Sequence, residues 1–389
     1  MAGLSGRNSL GLRAEWLSRT WESGLDLLAQ CILTPTFDSD ELAREKRRLL
    51  EELEVRRDSP SLVAFRLFSE TLYRKHPYRL DVAGSAEVIH ALDRKKLARY
   101  YRRYYPVRGM TLAIVGDVEP ERALRAVRAR FAGVAQASDK PPVQRKVARE
   151  RFSGRSAQSR EVYRFLDRNQ AHLLIGFPGT TFDHPDRFAL EVLAIVLGGQ
   201  GGRLFVQLRD RQALAYHINA SSNEGMDPGY FAVYLACSPD KLPQAVTGVR
   251  AQLQAVIDTL VTPEELERAK RYLIGTHEIA LQRRSAVAAA LAFHEAYGLG
   301  IDEVARYADA IRSVTRADVQ RVAAGYLDWD LAVTATVKPP DASPAAARRM
   351  RGVEKRAPRG SAKKKQKQQK RPTAKRKKTT KAGKRTGGR

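Results

Sequence analysis

The apolar positions of this chain recur mostly at helical spacing, and shorter stretches alternate as they do in β-strands. The clearest helix is predicted over residues 38–58, between Pro35 and Pro60. Its apolar stripe consists of Leu42, Leu49, Leu50 and Leu53. Charged residues occupy the other faces, so the pattern predicts an amphipathic helix that packs one side on a core.

Helices and strands are predicted along the rest of residues 1–340. Further helices are predicted over 25–32, 61–75, 93–105, 119–131, 188–197 and 242–260, after Thr262 with a capping box to Glu265, and after Ser285. Strands are predicted over 7–17, 110–118, 229–237 and 331–337, and one more begins near Arg160. This mixture indicates an α+β fold.

Two parts of the chain repeat one another. The letters DELAREK at 40–46 match EELERAK at 264–270, an offset of 224. In the helices that precede the strands at 110–118 and 331–337, Leu92, Leu97 and Tyr104 match Val314, Val319 and Tyr326, an offset of 222. Two near-equal offsets predict a duplicated domain. Because the second copy begins near Arg160, the first copy would lack roughly 60 residues of its own beginning.

Composition places residues 1–340 among globular proteins. The chain has 389 residues, 43% of them hydrophobic, and a net charge of +26. Residues 341–389 hold 20 Lys and Arg against 2 acids, which leaves +8 for the rest. This tail has no aromatic residue and, after Val353, no aliphatic side chain larger than alanine. We therefore expect the tail to be disordered.

The two cysteines and the lack of long apolar segments exclude several classes of protein. Cys31 and Cys237 lie in apolar stretches, so we predict two buried thiols and exclude a thiolate zinc cluster. No apolar run is long enough to span a bilayer, and the first residues have no apolar leader. The sequence therefore predicts a cytoplasmic location.

Two carboxylates on the helix at 38–58 are candidates for chemistry. Glu45 and Glu52 lie two turns apart, about 10 Å, at the edge of the apolar stripe. A partly desolvated carboxylate needs a partner. Periodicity alone fits an ordinary charged helix, but the spacing R-E-x(6)-E from Arg44, followed by LYRKHPYRLDVAGSAEVIHAL at 72–92, resembles the insulinase/pitrilysin (M16) family of metallopeptidases. A lone His76 beside Pro77 is interpreted as a structural turn.

The resemblance implies a fold and a metal. It implies two related domains, each with helices on a mixed or antiparallel sheet, facing one another around a chamber, the first of them incomplete. It implies Zn²⁺, with Glu52 as a metal ligand and Glu45 as the carboxylate that supports it.

The other ligands of the family lie on an H-x-x-E-H helix whose Glu is the general base. The sequence contains no H-x-x-E-H, so no catalytic residue is assigned within it. We expect the general base upstream of Met1, ahead of the helix that carries Glu52. Thr276 stands at the place of Glu52 in the second copy, so that half is expected to hold no metal.

A second set of residues lies in GGRLFVQLRDRQALAYHI at 201–218. With Arg209 seven residues before Tyr216, it resembles the second-domain motif of the family, in which this pair hydrogen-bonds the substrate backbone. Arginine offers a fixed fork of donors to carbonyl oxygens. Taken alone, the pair fits a solvated arginine and a core tyrosine. The glycines at 198–202 lack the G-K-[ST] that a phosphate loop requires.

Tyrosines and arginines interleave over residues 93–105. Such a pattern can bind a nucleic acid backbone. We favour the interpretation in which one tyrosine face packs inward and the arginines are solvated.

From these observations we predict four parts. They are an incomplete first M16 peptidase domain at 1–135, a linker at 136–159, a second domain at 160–338 and a disordered Lys/Arg-rich tail at 339–389. One expected function is a zinc-dependent metalloendopeptidase that degrades or processes peptides or unfolded polypeptides, of which this chain would be inactive as it stands. The alternative is a non-catalytic subunit that binds peptide or an M16 partner subunit, or forms a homodimer. The tail at 348–389 can bind nucleic acid or an anionic surface, or only add solubility.

Overall fold

The fold is organised around a five-stranded sheet made by the second half of the chain. The computed structural model describes residues 1–105, 109–135 and 159–340. The strand order is β3-β7-β4-β6-β5, with β3 and β7 parallel and the other neighbours antiparallel. The strands are β3 Arg160–Phe165, β4 Ala171–Pro178, β5 His217–Asn223, β6 Tyr230–Cys237 and β7 Val333–Lys338, and a separate hairpin pairs β1 Ala2–Ser5 with β2 Leu10–Arg13.

Twelve α-helices occur in the described residues, six before the sheet and six within or after it. The first six are α1 Trp21–Leu33, α2 Ser39–Asp58, α3 Pro60–Leu72, α4 Ala86–Ala91, α5 Arg94–Tyr104 and α6 Pro120–Ala135. The others are α7 Asp186–Gly198, α8 Leu242–Asp258, α9 Pro263–Leu281, α10 Arg284–Ala296, α11 Glu303–Ser313 and α12 Arg316–Tyr326. The α+β class predicted from the sequence is confirmed. No helix in the described ranges combines the length and apolarity needed to cross a bilayer.

The largest core lies on the face of the sheet that α7, α8 and α12 cover. Helix α7 is apolar nearly all round, and its Leu190, Leu193 and Leu197 are fully buried. A helix of that composition has to be enclosed by other elements, because any exposed face would leave apolar surface in water. It therefore forms the centre of this layer.

The opposite face of the sheet is covered by α3, which comes from the N-terminal part of the chain. Phe68 and Leu72 are fully buried against Leu174 of β4 and Ala335 of β7. A Cβ at Gly176 would lie 2.4 Å from the ring of Phe68, so only glycine permits this close approach. The N-terminal region and the sheet thus share one core.

A buried turn adds a polar connection between the same two regions. His76 is 2% exposed, its Nδ1 accepts a hydrogen bond from the backbone N–H of Tyr78, and its Nε2 lies 3.0 Å from Oδ2 of Asp227. The Tyr73 hydroxyl donates to the carbonyl of Pro228 at 3.1 Å. The structural interpretation of His76 is confirmed, although its partner on the second half of the chain was not foreseen.

The predicted repeat reappears in the helix bounds. Helices α2, α3 and α5 begin 224, 224 and 222 residues before α9, α10 and α12. Both α2 and α9 have an N-cap side chain, Asp38 and Thr262, and Thr262 forms the predicted capping box with Glu265. The two copies therefore use the same order of helices.

Two predictions for the first copy are wrong. Residues 110–118 are not a strand, because no strand of the described ranges pairs with them, and Met110, Leu112 and Ile114 are about two-fifths exposed. Cys31 is exposed rather than buried, because α1 packs with the face that carries Leu25 and Leu28, whereas Cys237 is buried as predicted.

Of the strand predicted at 7–17, only Leu10–Arg13 forms a strand, β2. Most of its residues are exposed, as expected for an edge strand. The linker predicted over 136–159 and the tail predicted over 339–389 fall almost wholly outside the described residues.

Candidate functional site

The two carboxylates predicted for the metal site lie on α2 and are partnered by arginines. Glu52, with its side chain 38% exposed, accepts hydrogen bonds from Arg56 Nε at 3.0 Å and Nη2 at 2.8 Å, and Arg48 Nη1 lies 3.5 Å away. Glu45 is 56% exposed and accepts from Arg48 Nε at 2.8 Å. Both carboxylates have the partners that their position requires, and these partners are cations from the same helix.

The residues around Glu52 do not fit a zinc ion by themselves. Within the described ranges no group of three His, Cys, Asp or Glu side chains is placed to hold a metal. A zinc site in a protein uses three or four such ligands. Asp81 approaches the same arginine, with its Oδ1 3.9 Å from Arg56, but it adds only one more carboxylate. The assignment of Glu52 as ligand and Glu45 as its support stays a prediction.

The general base expected upstream of Met1 also stays a prediction. Met1 itself is 60% exposed and comes immediately before β1, the first strand of the separate hairpin. The sequence contains no H-x-x-E-H, so the base and the two histidines of the family's metal site have no counterpart in it.

The predicted substrate-binding pair lies where a π-helix leads into the edge strand β5. Arg209 belongs to the π-helix Phe205–Arg211, is exposed, and stacks its guanidinium 4.7 Å from the ring of Phe205. It forms no ion pair with any described carboxylate. π-helical turns are often found at functional sites, because the wider turn re-aims a side chain.

Tyr216 lies immediately before β5 and is 57% exposed. Its backbone N–H donates to the carbonyl of Ala236 at 2.8 Å, and its hydroxyl is 2.9 Å from Oγ of Ser238. Between it and Arg209, Ala213 has a φ of 51°, a left-handed conformation that costs energy for a residue with a Cβ. The backbone between Arg209 and Tyr216 is therefore strained at Ala213. Their role in binding stays a prediction, and no hydrogen bond or ion pair in the described part of the chain joins them to Glu52.

The sequence did not reveal a cavity of about 410 Å³ between α7, α9, α10 and α11. Its lining includes both apolar and polar side chains. The lining consists of Arg187, Glu191, Thr276, His277, Ala280, Leu281, Ala286, Ala290, His294, Glu303 and Tyr307.

The cavity lining contains a carboxylate that is hard to ionise. Glu191 accepts a hydrogen bond from the Tyr307 hydroxyl at 2.6 Å, and burial, with the charge of Glu224 adding to it, raises the pKa of Glu191 to about 7. Burial also lowers the pKa of His294, whose Nδ1 has no partner among the described residues. Arg187 is paired with Glu303. Perturbed groups in a cavity of this kind are typical of functional sites, although buried structural networks show them too.

The repeat could have located this cavity, because Thr276 corresponds to Glu52. Arg187 and Glu191 reach the cavity from α7 and are four residues apart, which is the spacing of the two histidines in H-x-x-E-H. The cavity therefore lies beside Thr276, the position that corresponds to Glu52 in the second copy. An arginine, a threonine and one carboxylate are not a zinc ligand set.

Comparison with known proteins assigns the family. Residues 5–86 match the family described as insulinase (peptidase family M16), and residues 91–273 match the peptidase M16 inactive domain. The chain therefore belongs to the insulinase-like M16 family.

Curated relatives and solved structures agree with this assignment. An uncharacterised zinc protease of Streptomyces coelicolor is 27% identical over 305 residues, which is 77% of this chain and 65% of that protein. The uncharacterised zinc protease YmxG of Bacillus subtilis is 26% identical over 264 residues, 66% of this chain and 61% of that protein. The chain thus spans less than two thirds of the length of these relatives. A protease from Helicobacter pylori has the same fold, with a TM-score of 0.73, 21% identity, and coverage of 83% of this chain and 77% of that one.

Proposed function

We propose that this chain serves in proteolysis as the polypeptide-holding part of an M16 zinc peptidase. Arg209 and Tyr216 would hold the substrate backbone, and Glu52 would give one carboxylate to a metal whose other ligands the printed sequence does not contain. Zn²⁺ in such a site supplies an activated water for peptide-bond hydrolysis. No hydrolytic step is assigned to the residues of this chain alone.

The observation that carries the proposal is the pairing of α7 with α9. In the second copy these helices pack together and bring Arg187 and Glu191 to a shared cavity with Thr276. Because α2 corresponds to α9, a helix packed on α2 in the same manner would present two residues, four apart, to Glu52. This arrangement supports completion of the site by a helix that carries H-x-x-E-H.

A second candidate function is a non-catalytic M16 subunit that binds polypeptide. Both carboxylate oxygens of Glu52 are ion-paired with arginines of α2. This favours the non-catalytic function, because Glu52 would have to break those ion pairs before it could bind a metal. Homologues named as zinc proteases favour the first function. The first function requires the chain to bind an extended polypeptide, whereas a non-catalytic subunit could bind either a polypeptide or a catalytic partner subunit.

Peptide binding is therefore tested first. An unstructured, fluorescein-labelled peptide should bind the purified chain, as followed by anisotropy. Arg209→Ala should weaken binding about tenfold or more, as expected for loss of one charge-assisted hydrogen bond. The matched control is Arg211→Ala, an exposed arginine at the end of the same π-helix. Equal affinities for both variants would remove Arg209 from the site.

Metal content and hydrolysis separate the two functions. The chain as printed should retain no stoichiometric zinc after dialysis and should not cleave a quenched fluorescent peptide. The second measurement uses the chain extended at its start by a strand–helix–strand segment that carries H-x-x-E-H. A peptidase is supported if this extended chain hydrolyses the peptide and Glu52→Gln abolishes the hydrolysis. The exposed control Glu54→Gln should leave the hydrolysis unchanged. Peptide binding without hydrolysis in either form supports the non-catalytic subunit.

A further inference from the structure

The positive charge of this protein is concentrated in two segments. Of the net +26, residues 341–389 carry +18, and the eleven residues of α5 carry six Lys and Arg with no acid. The remainder of the chain is therefore close to neutral. Such a distribution is typical of polyanion binding, whereas an even spread would be expected from solubility alone.

The basic residues of α5 form one exposed face. Lys95, Arg99, Arg102 and Arg103 follow the helical spacing i, i+4, i+7 and i+8, and all four are exposed. None of them is ion-paired with a described carboxylate. Residues four apart on a helix are separated by about 6 Å along its axis. The face therefore offers a row of cations to a chain of phosphates.

The fold does not require this basic face, as the second copy shows. In α12, which corresponds to α5, the positions of Lys95, Arg102 and Arg103 are small uncharged residues. Arg321, which corresponds to Arg99, is neutralised by Asp186 at 2.8 Å. The helix can thus hold its place with a single, paired arginine, so the four cations of α5 need another explanation.

The partner that fits this face is nucleic acid rather than a membrane. A helix that lies in a bilayer interface inserts an apolar face. In α5 the side opposite the basic face is committed to the protein: the Tyr101 hydroxyl donates to the carbonyl of Ile32 at 2.8 Å, and its ring lies 5.5 Å from that of Phe37. Duplex DNA also carries about one charge per 1.7 Å, a dense array for counterion release.

We propose that the basic face of α5 binds the phosphate backbone of nucleic acid without sequence preference. This is a reversal of the interpretation favoured from the sequence, in which the arginines only meet solvent. The proposal is independent of peptide binding, since neither Arg209 nor Tyr216 takes part in it.

The test uses the full chain, tail included, and two fluorescent duplexes of unrelated sequence. Anisotropy is measured between about 50 and 200 mM salt, where phosphate contacts lose most of their affinity. The variant carries Lys95→Gln, Arg99→Gln, Arg102→Gln and Arg103→Gln. The control removes the same charge from exposed positions of the second copy, by Arg164→Gln, Arg271→Gln, Arg283→Gln and Arg284→Gln. Circular dichroism confirms that both variants are folded.

Both duplexes should bind the unchanged chain equally well. The α5 variant should lower the steepness of log K against log salt by about 3.6, which is about 0.9 for each of the four phosphates that the helix no longer neutralises, while the control keeps the slope of the unchanged chain. Identical slopes for variant and control overturn the proposal and leave any binding to the tail. It is also overturned if the unchanged chain fails to bind at the lowest salt, or prefers vesicles rich in phosphatidylserine.

Discussion

The raised pKa of Glu191 makes a quantitative prediction about stability and pH. Its carboxylate is buried at the cavity wall with Tyr307 as donor, and its pKa is about 7 in the folded protein against 4.5 for an ordinary Glu. A carboxylate whose pKa is raised by folding stabilises the fold only while it is protonated. The contribution is fully present below about pH 4.5 and is lost as the pH rises through about 7.

The magnitude follows from the difference in pKa. A change of one pKa unit corresponds to about 1.4 kcal/mol, so 2.5 units correspond to at most about 3.4 kcal/mol, of which about 2.5 kcal/mol falls between pH 5 and pH 8. Glu191→Gln keeps an acceptor for the Tyr307 hydroxyl and cannot ionise. The variant should therefore gain up to about 2.5 kcal/mol relative to the unchanged protein over this interval.

Urea unfolding at several pH values measures this effect, because the free energy of unfolding is linear in denaturant. The control is Glu278→Gln on α9, an exposed carboxylate outside the cavity lining. Other titrating groups act equally in all three proteins and cancel in the comparison. If Glu191→Gln and the unchanged protein lose stability in parallel from pH 5 to pH 8, the carboxylate is not held neutral and the account of the cavity is wrong.

Three further predictions concern packing and exposure. Phe68→Ala should lower the free energy of unfolding by about 3–5 kcal/mol, because it opens a cavity under α3, while Leu62→Ala, 43% exposed on the same helix, should cost under about 1 kcal/mol by urea unfolding. Glu265→Ala should cost about 3–5 kcal/mol in the same assay, since it removes the Glu265 half of the capping box and leaves the largely buried Arg203 without its ion-pair partner, and a cost below about 1 kcal/mol would contradict this. Cys31 should react with a thiol reagent in the native protein and Cys237 only after unfolding, because Cys237 is buried and burial raises its pKa to about 11; equal native rates would refute the burial pattern.

The elements that the sequence predicted well are those with a strong local signal. Asp38 at the N-cap and the leucine stripe define α2, and the Thr262–Glu265 capping box marks the start of α9. Such features depend on hydrogen bonds and side chains within one turn, so the sequence alone contains them. The repeat offset was also readable, because it compares the chain only with itself.

The errors occurred where a structure depends on distant partners. Residues 110–118 have the composition of a strand but no neighbouring strand in the described ranges, and a strand without a partner leaves its backbone groups unpaired. Tyr100 is 53% exposed, whereas its counterpart in the second copy, Val322, is completely buried. We attribute this difference to the same lack of a neighbouring strand. The prediction that Cys31 is buried failed for a related reason, because an apolar sequence does not show which face of its helix other elements cover.

For the candidate site, the sequence supplied residue types and tertiary structure supplied neighbours. The motif spacing singled out Glu45, Glu52, Arg209 and Tyr216, but it could not show that arginines of the same helix take both carboxylates. The repeat pointed only to Thr276; the other residues of the cavity around Glu191 could not be grouped from the sequence, because the lining comes from four helices spread over more than a hundred residues.

The sequence by itself determined most of the helices, the repeat, the family and the concentration of positive charge. These follow from periodicity, spacing and composition, which are properties of neighbours along the chain. Tertiary structure alone decided that α3 covers the sheet of the second copy, that His76 hydrogen-bonds Asp227, and that Glu191 is buried away from water. Each of these depends on which surfaces exclude solvent when distant segments pack together, and chain order does not specify that.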